Sequence, residues 1–150
     1  MSSPKLPEWM IIPTRWSQID KTLWVGSWPS DGAPTFPQYI VNLYPWGQYE
    51  IHPHQLQLTA RLYDAGEIPD ETLLHHVADQ INKWRAQGPT LVHCQQGLNR
   101  SPLVVALALI KSGMSPPGAI QLLRKKRGPQ VLFNRVFEQW LLEKGARQCS

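Results

Sequence analysis

The chain has 150 residues, 42% apolar and 17% charged, with a net charge of +4, which is the composition of a soluble globular protein of one domain, residues 1–150. Residues 1–8 lack the apolar stretch of a signal peptide, and no run approaches the roughly 20 residues of a membrane span. The two cysteines, Cys94 and Cys149, make no disulfide framework, so a reducing cytoplasmic setting is expected.

In chain order, residues 9–12, 16–19 and 23–26 read as short strands around Pro13 and the Asp20-Lys21 turn. Residues 29–34 form a Pro/Gly loop, and residues 39–43 a buried strand. Residues 44–53 are turn-rich, residues 58–62 strand-like, and residues 63–69 turn again through Gly66 and Pro69. From Asp70, a natural helix cap, Leu73, Leu74, Val77, Ile81 and Trp84 follow helical spacing. A strand over residues 90–93 follows the Gly88-Pro89 turn, and three helices are expected over residues 100–112, 116–126 and 134–144. Gly113, Gly128 and Gly145 stand where C-terminal caps belong. This order predicts an α/β domain of three layers, a mostly parallel central sheet of four or five strands flanked by helices on both faces.

One segment concentrates the chemistry: His93-Cys94-Gln95-Gln96-Gly97-Leu98-Asn99-Arg100-Ser101. It joins the end of a strand to the start of a helix, where backbone N–H groups and the helix dipole favour an anion. Gly97 lets the backbone curl around a ligand, and Arg100 matches two phosphate oxygens with its planar fork. A thiol held in that positive field reacts as thiolate, so Cys94 is the expected nucleophile. Ser101 is placed to donate to the departing sulfur, His93 to order the loop, and Asn99 to brace it. A lone cysteine after a strand is ordinarily a small buried hydrophobe. The register of His93, Gly97, Arg100 and Ser101 around this one is what argues for chemistry.

The segment resembles the signature of the cysteine-dependent protein phosphatases, His-Cys, five residues, then Arg-Ser/Thr, and is most similar to their compact dual-specificity branch. Residues 16–27 resemble that branch's opening hairpin, and Asn134, Phe137, Trp140 and Leu141 its closing helix. The resemblance implies a protein-tyrosine-phosphatase-like fold and phosphorylated proteins as substrates. It implies chemistry that uses no metal or organic cofactor. Lysines typical of loops that act on inositol lipids are missing from Gln95, Gln96, Leu98 and Asn99.

A thiolate needs a proton for the oxygen it displaces, hence a general acid across the pocket. Asp64, on a turn with Gly66, is assigned that role, with Asp70 the alternative and Glu67 behind both. Asp70 suits a helix cap better. The expected mechanism is attack by Cys94 with Arg100 and the loop amides on the phosphoryl oxygens, then hydrolysis of the cysteinyl-phosphate. Two other readings keep the same loop: a silent phosphate-binding interaction module, and the same chemistry on RNA 5′-phosphates or small metabolites. Arg124, Lys125, Lys126 and Arg127 precede Gly128, so they read as cations at a helix C-terminus rather than a nucleic-acid or lipid patch. Trp28 and Trp46, in loops, are candidate pocket walls, whereas Trp84 and Trp140 read as core. His52, His54, His75 and His76 lack the partners of a metal site. The sequence leaves the oligomeric state open.

Overall fold

The computed structural model describes residues 15–44, 46 and 49–145; the strand expected over residues 9–12, and Cys149, lie outside them. Five strands form one sheet: β1 (Trp16–Asp20), β2 (Leu23–Gly26), β3 (Tyr39–Asn42), β4 (Leu56–Thr59) and β5 (Thr90–His93). Their order is β1-β2-β5-β3-β4. β1 and β2 make an antiparallel hairpin, in whose turn Asp20 Oδ1 accepts from Thr22 N at 3.0 Å, and the other neighbours are parallel. β3 and β5 are buried along their whole length, as interior parallel strands must be. β4 begins and ends earlier than the 58–62 reading. Ala60 N gives the last bond of the ladder, to Asn42 O at 2.9 Å, after which the chain peels away while keeping Ala60 and Leu62 buried.

The described residues also form four helices, α1 (Glu71–Arg85) between β4 and β5, then α2 (Arg100–Lys111), α3 (Pro116–Arg127) and α4 (Arg135–Trp140), with a π-helical turn over Leu141–Gly145. Three of these helices, α1, α3 and α4, start at a side-chain cap. Asp70 Oδ1 accepts from Thr72 N at 2.9 Å, and Ser115 Oγ from Gly118 N at 3.1 Å ahead of Pro116. Asn134 Oδ1 takes Val136 N at 3.1 Å and Phe137 N at 3.3 Å. The last helix was expected to run evenly to residue 144. It widens instead where two consecutive side chains, Trp140 and Leu141, both turn into the core, and Gly145 closes that turn rather than standing beyond it.

Alternation along the strands sorts the two faces of the sheet. Leu23, Val25, Val41 and Val92 meet a single apolar cluster built from all four helices. α2 is its centre, buried from Arg100 to Ile110 and apolar all round, as a core helix should be. On the opposite face Trp24, Leu91 and Ile40 are neighbours in register. Helices were expected on both faces; among the described residues they cover one, and this other face is covered by the long connections between β2 and β3 and between β3 and β4. Phe36 packs on Trp24 with ring centroids 5.0 Å apart, and buried Gln55 ties the connections together, donating to Pro34 O at 2.7 Å and Pro37 O at 2.9 Å. Among the described residues no helix is long and apolar enough to cross a membrane.

Candidate active site

The carboxyl ends of the parallel strands are where an α/β sheet leaves a crevice. The loop from Cys94 to Arg100 spans that crevice and is anchored from all sides. Cys94 N donates to Gly26 O at 3.3 Å, Trp28 N to Gln95 O at 3.0 Å, and Leu132 N to Leu98 O at 2.7 Å. Leu132 is a buried residue at φ 62°, a left-handed conformation that costs roughly 1–2 kcal/mol outside glycine and is held here by its burial and that bond. Gly97 sits at φ +73°, and a Cβ there would lie 2.6 Å from Gly26 backbone and from Arg127 Nη2. No other residue fits.

Cys94 is 2% exposed, with its sulfur 3.3 Å from Ser101 Oγ and 3.2 Å from Gly97 N, which donates to it. The sulfur thus lies within hydrogen-bond reach of a hydroxyl and a backbone N–H, beside the N-terminus of α2, whose first turn holds no acidic residue. Arg100 is buried. One Nη1 bond goes to Leu62 O at 3.2 Å, the guanidinium lies 5.7 Å from the centroid of Tyr44, and Nε has no partner among the described residues. A buried guanidinium N–H without an acceptor is costly unless a ligand supplies one. An oxyanion between Arg100 and the loop amides would do so.

His93 is fully buried, with Nε2 2.5 Å from Tyr49 Oη and Nδ1 3.2 Å from Cys94 O. Cys94 O can only accept, so the contact at Nε2 is made by the Tyr49 hydroxyl donating, and burial raises that hydroxyl above its ordinary range. His93 therefore carries its hydrogen on Nδ1 and gives it to Cys94 O. Burial also pulls His93 down to about 4, only partly offset by that bond, so the ring is neutral near pH 7. Its Nδ1 bond holds the loop backbone at Cys94 O.

Asp64 and Asp70 part company. Asp64 lines a cleft of about 440 Å³ together with Cys94, Gln95, Gln96, Leu98, Asn99 and Arg100, and its walls include Trp46, Tyr63 and Ala65. Asn99 Nδ2 donates to Asp64 Oδ2 at 2.8 Å and Asn134 Nδ2 to Oδ1 at 2.7 Å, so the carboxylate is fixed by the loop on one side and by the cap of α4 on the other. Asp70 spends its carboxylate on α1. Trp46 meets Tyr44 and Tyr63 with centroids 5.6 and 5.4 Å away, forming an aromatic wall, whereas Trp28 sits behind it against Tyr44 and does not line the cleft.

Three partners escaped the sequence reading. Asn134, read only as part of the closing helix, and Tyr49 lie in segments distant from the loop. Arg127, read as one of four cations at a helix end, is 5% exposed, and its guanidinium bonds Gln96 O and Gly97 O behind the loop. Its neighbour Arg124 pairs with Glu138, a fold-stabilising role. Among the described residues no group of three or more His, Cys, Asp or Glu is placed to hold a metal. His52 and His54 stack on each other and bond Ala33 O and Thr35 O, and His75 meets Lys111.

Residues 39–147 match the family described as "Dual specificity phosphatase, catalytic domain". The chain is 61% identical over 36 residues to protein tyrosine phosphatase type IVA 3 of Homo sapiens, covering 24% of this chain and 21% of that protein. It is 32% identical over 84 residues to protein tyrosine phosphatase PRL-1 of Trypanosoma cruzi (strain CL Brener), covering 53% and 47%. The matched stretches thus span less than half the length of these relatives. Among solved structures, human DUSP28 superposes with a TM-score of 0.72 at 24% identity, over 88% of this chain and 96% of that one. Tk-PTP in the active form gives 0.74 at 21%, over 90% and 98%. At such identities the likeness is one of fold.

Proposed function

The chain belongs to the dual specificity phosphatase catalytic-domain family, and on that premise we propose that it hydrolyses phosphotyrosine, and phosphoserine and phosphothreonine, in proteins through a cysteinyl-phosphate. One observation carries this reading: the Cys94 sulfur, the unpartnered Nε of buried Arg100 and the Asp64 carboxyl converge on one cleft. The Cys94 thiolate attacks phosphorus from the floor of the loop. Arg100 and the amides of Gln95 to Arg100 hold the equatorial oxygens as charge shifts onto them. The bond to the leaving oxygen breaks, and Asp64 gives that oxygen its proton. In the second step the Asp64 carboxylate takes a proton from water, whose oxygen attacks phosphorus. The P–S bond breaks, Ser101 donates to the sulfur, and inorganic phosphate leaves. His93 and Asn99 position the loop.

The aromatic wall favours an aryl phosphate ester, and the exposed rims of Trp46 and Tyr63 leave the mouth open for shorter side chains. A free working thiolate suits a reducing compartment, for which the cytoplasm is the reading offered. The test is hydrolysis of para-nitrophenyl phosphate, without metal and with a reductant. Turnover that is blocked by vanadate and lost in Cys94→Ser supports the reading. Turnover retained by Cys94→Ser, or none from folded wild type, overturns it.

A further inference from the structure

The guanidinium of Arg127 reaches the phosphate loop from α3 without lining the cleft. Nε donates to Gly97 O at 2.8 Å and Nη2 to Gln96 O at 2.9 Å, while Nη1 donates to Ser17 Oγ at 3.0 Å and Val25 O at 3.3 Å. The two loop carbonyls belong to consecutive peptides. In a trans peptide the C=O and the following N–H point in opposite directions, and no peptide among the described residues is cis. Drawing Gln96 O and Gly97 O outward onto one guanidinium therefore turns Gly97 N–H and Leu98 N–H inward. The 3.2 Å bond from Gly97 N to Cys94 Sγ is the visible consequence.

We propose that Arg127 is a positioning residue: its planar fork sets the peptide planes whose N–H groups face the nucleophilic sulfur and the phosphoryl oxygens. The inference rests on the phosphoryl-transfer reading above for the second of those targets only. The rigid fork is what the task requires, because two donors in one plane fix two successive carbonyls, which a lysine's single ammonium does not. Burial lowers Arg127 to about 10, opposed by the charge of Cys94, so it stays cationic near pH 7 and adds a second positive charge on the loop's outer side. Gly97 completes the device, since a side chain there would strike Arg127 Nη2.

The experiment compares wild type, Arg127→Gln, Arg127→Lys and Ser17→Ala. Three readouts are taken: steady-state kinetics on para-nitrophenyl phosphate, inhibition by orthovanadate, and alkylation of Cys94 by iodoacetamide on resting protein. In Arg127→Gln, kcat is expected to fall about ten-fold or more with KM nearly unchanged, vanadate to weaken by a similar factor, and alkylation to slow. Arg127→Lys recovers part of each, and Ser17→Ala, which loses only the bond pointing away from the loop, retains all three. Should Arg127→Gln not fold, Arg127→Lys carries the comparison, with weakened vanadate binding expected. A variant that melts earlier yet keeps kcat, vanadate affinity and alkylation rate overturns the proposal and leaves Arg127 a purely structural brace. Absent turnover in wild type, with alkylation still slowed in Arg127→Gln, upholds the positioning role and sinks the phosphatase reading instead.

Discussion

Replacing Asp64 by Asn removes the proton the leaving oxygen needs, and the structure says what else it removes. The carboxylate accepts from Asn99 Nδ2 at 2.8 Å and Asn134 Nδ2 at 2.7 Å. A carboxamide has one oxygen and one NH2, so it can accept from only one of them. Neither partner is free to flip, because Asn99 Oδ1 is held by Asn134 N and Asn134 Oδ1 by Val136 N and Phe137 N. The variant thus loses general-acid catalysis, worth about 10²-fold or more in kcat, or at least about 2.7 kcal/mol. It also loses one loop bond, worth on the order of 1 kcal/mol. Leaving-group dependence separates the two. Loop loosening slows every substrate alike, whereas the missing proton hurts phenyl phosphate far more than para-nitrophenyl phosphate, whose phenolate leaves unaided. Asp70→Ala supplies the contrast, with kcat near wild type and a stability loss of about 1 kcal/mol from the helix cap. The assay is kcat on the two esters for each variant beside urea denaturation. Equal losses at Asp64 and Asp70, or an Asp64→Asn loss identical for both esters, would refute the assignment.

Ser101→Ala should leave the first step near wild type and slow thiolate departure, so pre-steady-state traces show a larger burst and a lower steady rate; loss of the burst contradicts this. Trp46→Ala is expected to raise KM for aryl phosphates a few-fold with kcat retained, measured against an alkyl phosphate whose KM stays constant. His93 sits at about 4 in the fold against an ordinary 6.5, so the unfolded chain takes its proton first as pH falls. Its contribution to stability is full above about 6.5 and is lost progressively down to about 4, on the order of 3 kcal/mol in total. Urea midpoints for wild type and His93→Asn at about pH 7 and about pH 4.5 should converge at the lower pH, and a gap independent of pH argues against a buried neutral ring.

What could be read from the sequence was whatever lies close together along it. Cys94, Gly97, Arg100 and Ser101 fall within one strand–loop–helix unit, so their spacing alone implies an anion cradle. Asp70 declared its helix start through local cap chemistry. Asp64 could be preferred to Asp70 because one sits in a turn and the other heads an apolar period. The remaining parts depend on contacts between distant segments. Arg127 looks like any cation at a helix end until α3 is packed against the back of the loop. Asn134 looks like the first residue of a helix until its Nδ2 reaches Asp64. The end of β4 was misplaced because Ala60 and Leu62 stay buried after leaving the ladder, and burial reads as strand. Trp28 was drawn to the pocket by its loop, yet Tyr44 stands between.

The most direct measurement looks for the intermediate itself. A phosphotyrosyl peptide is mixed with Ser101→Ala protein, in which formation of the phosphoenzyme is spared and its breakdown slowed, quenched in acid and examined by peptide mass spectrometry. Phosphate on Cys94, absent from the double variant that also carries Cys94→Ser, is the predicted result. Turnover by wild type with Cys94 never phosphorylated, or a phosphate found on another residue, would contradict the account.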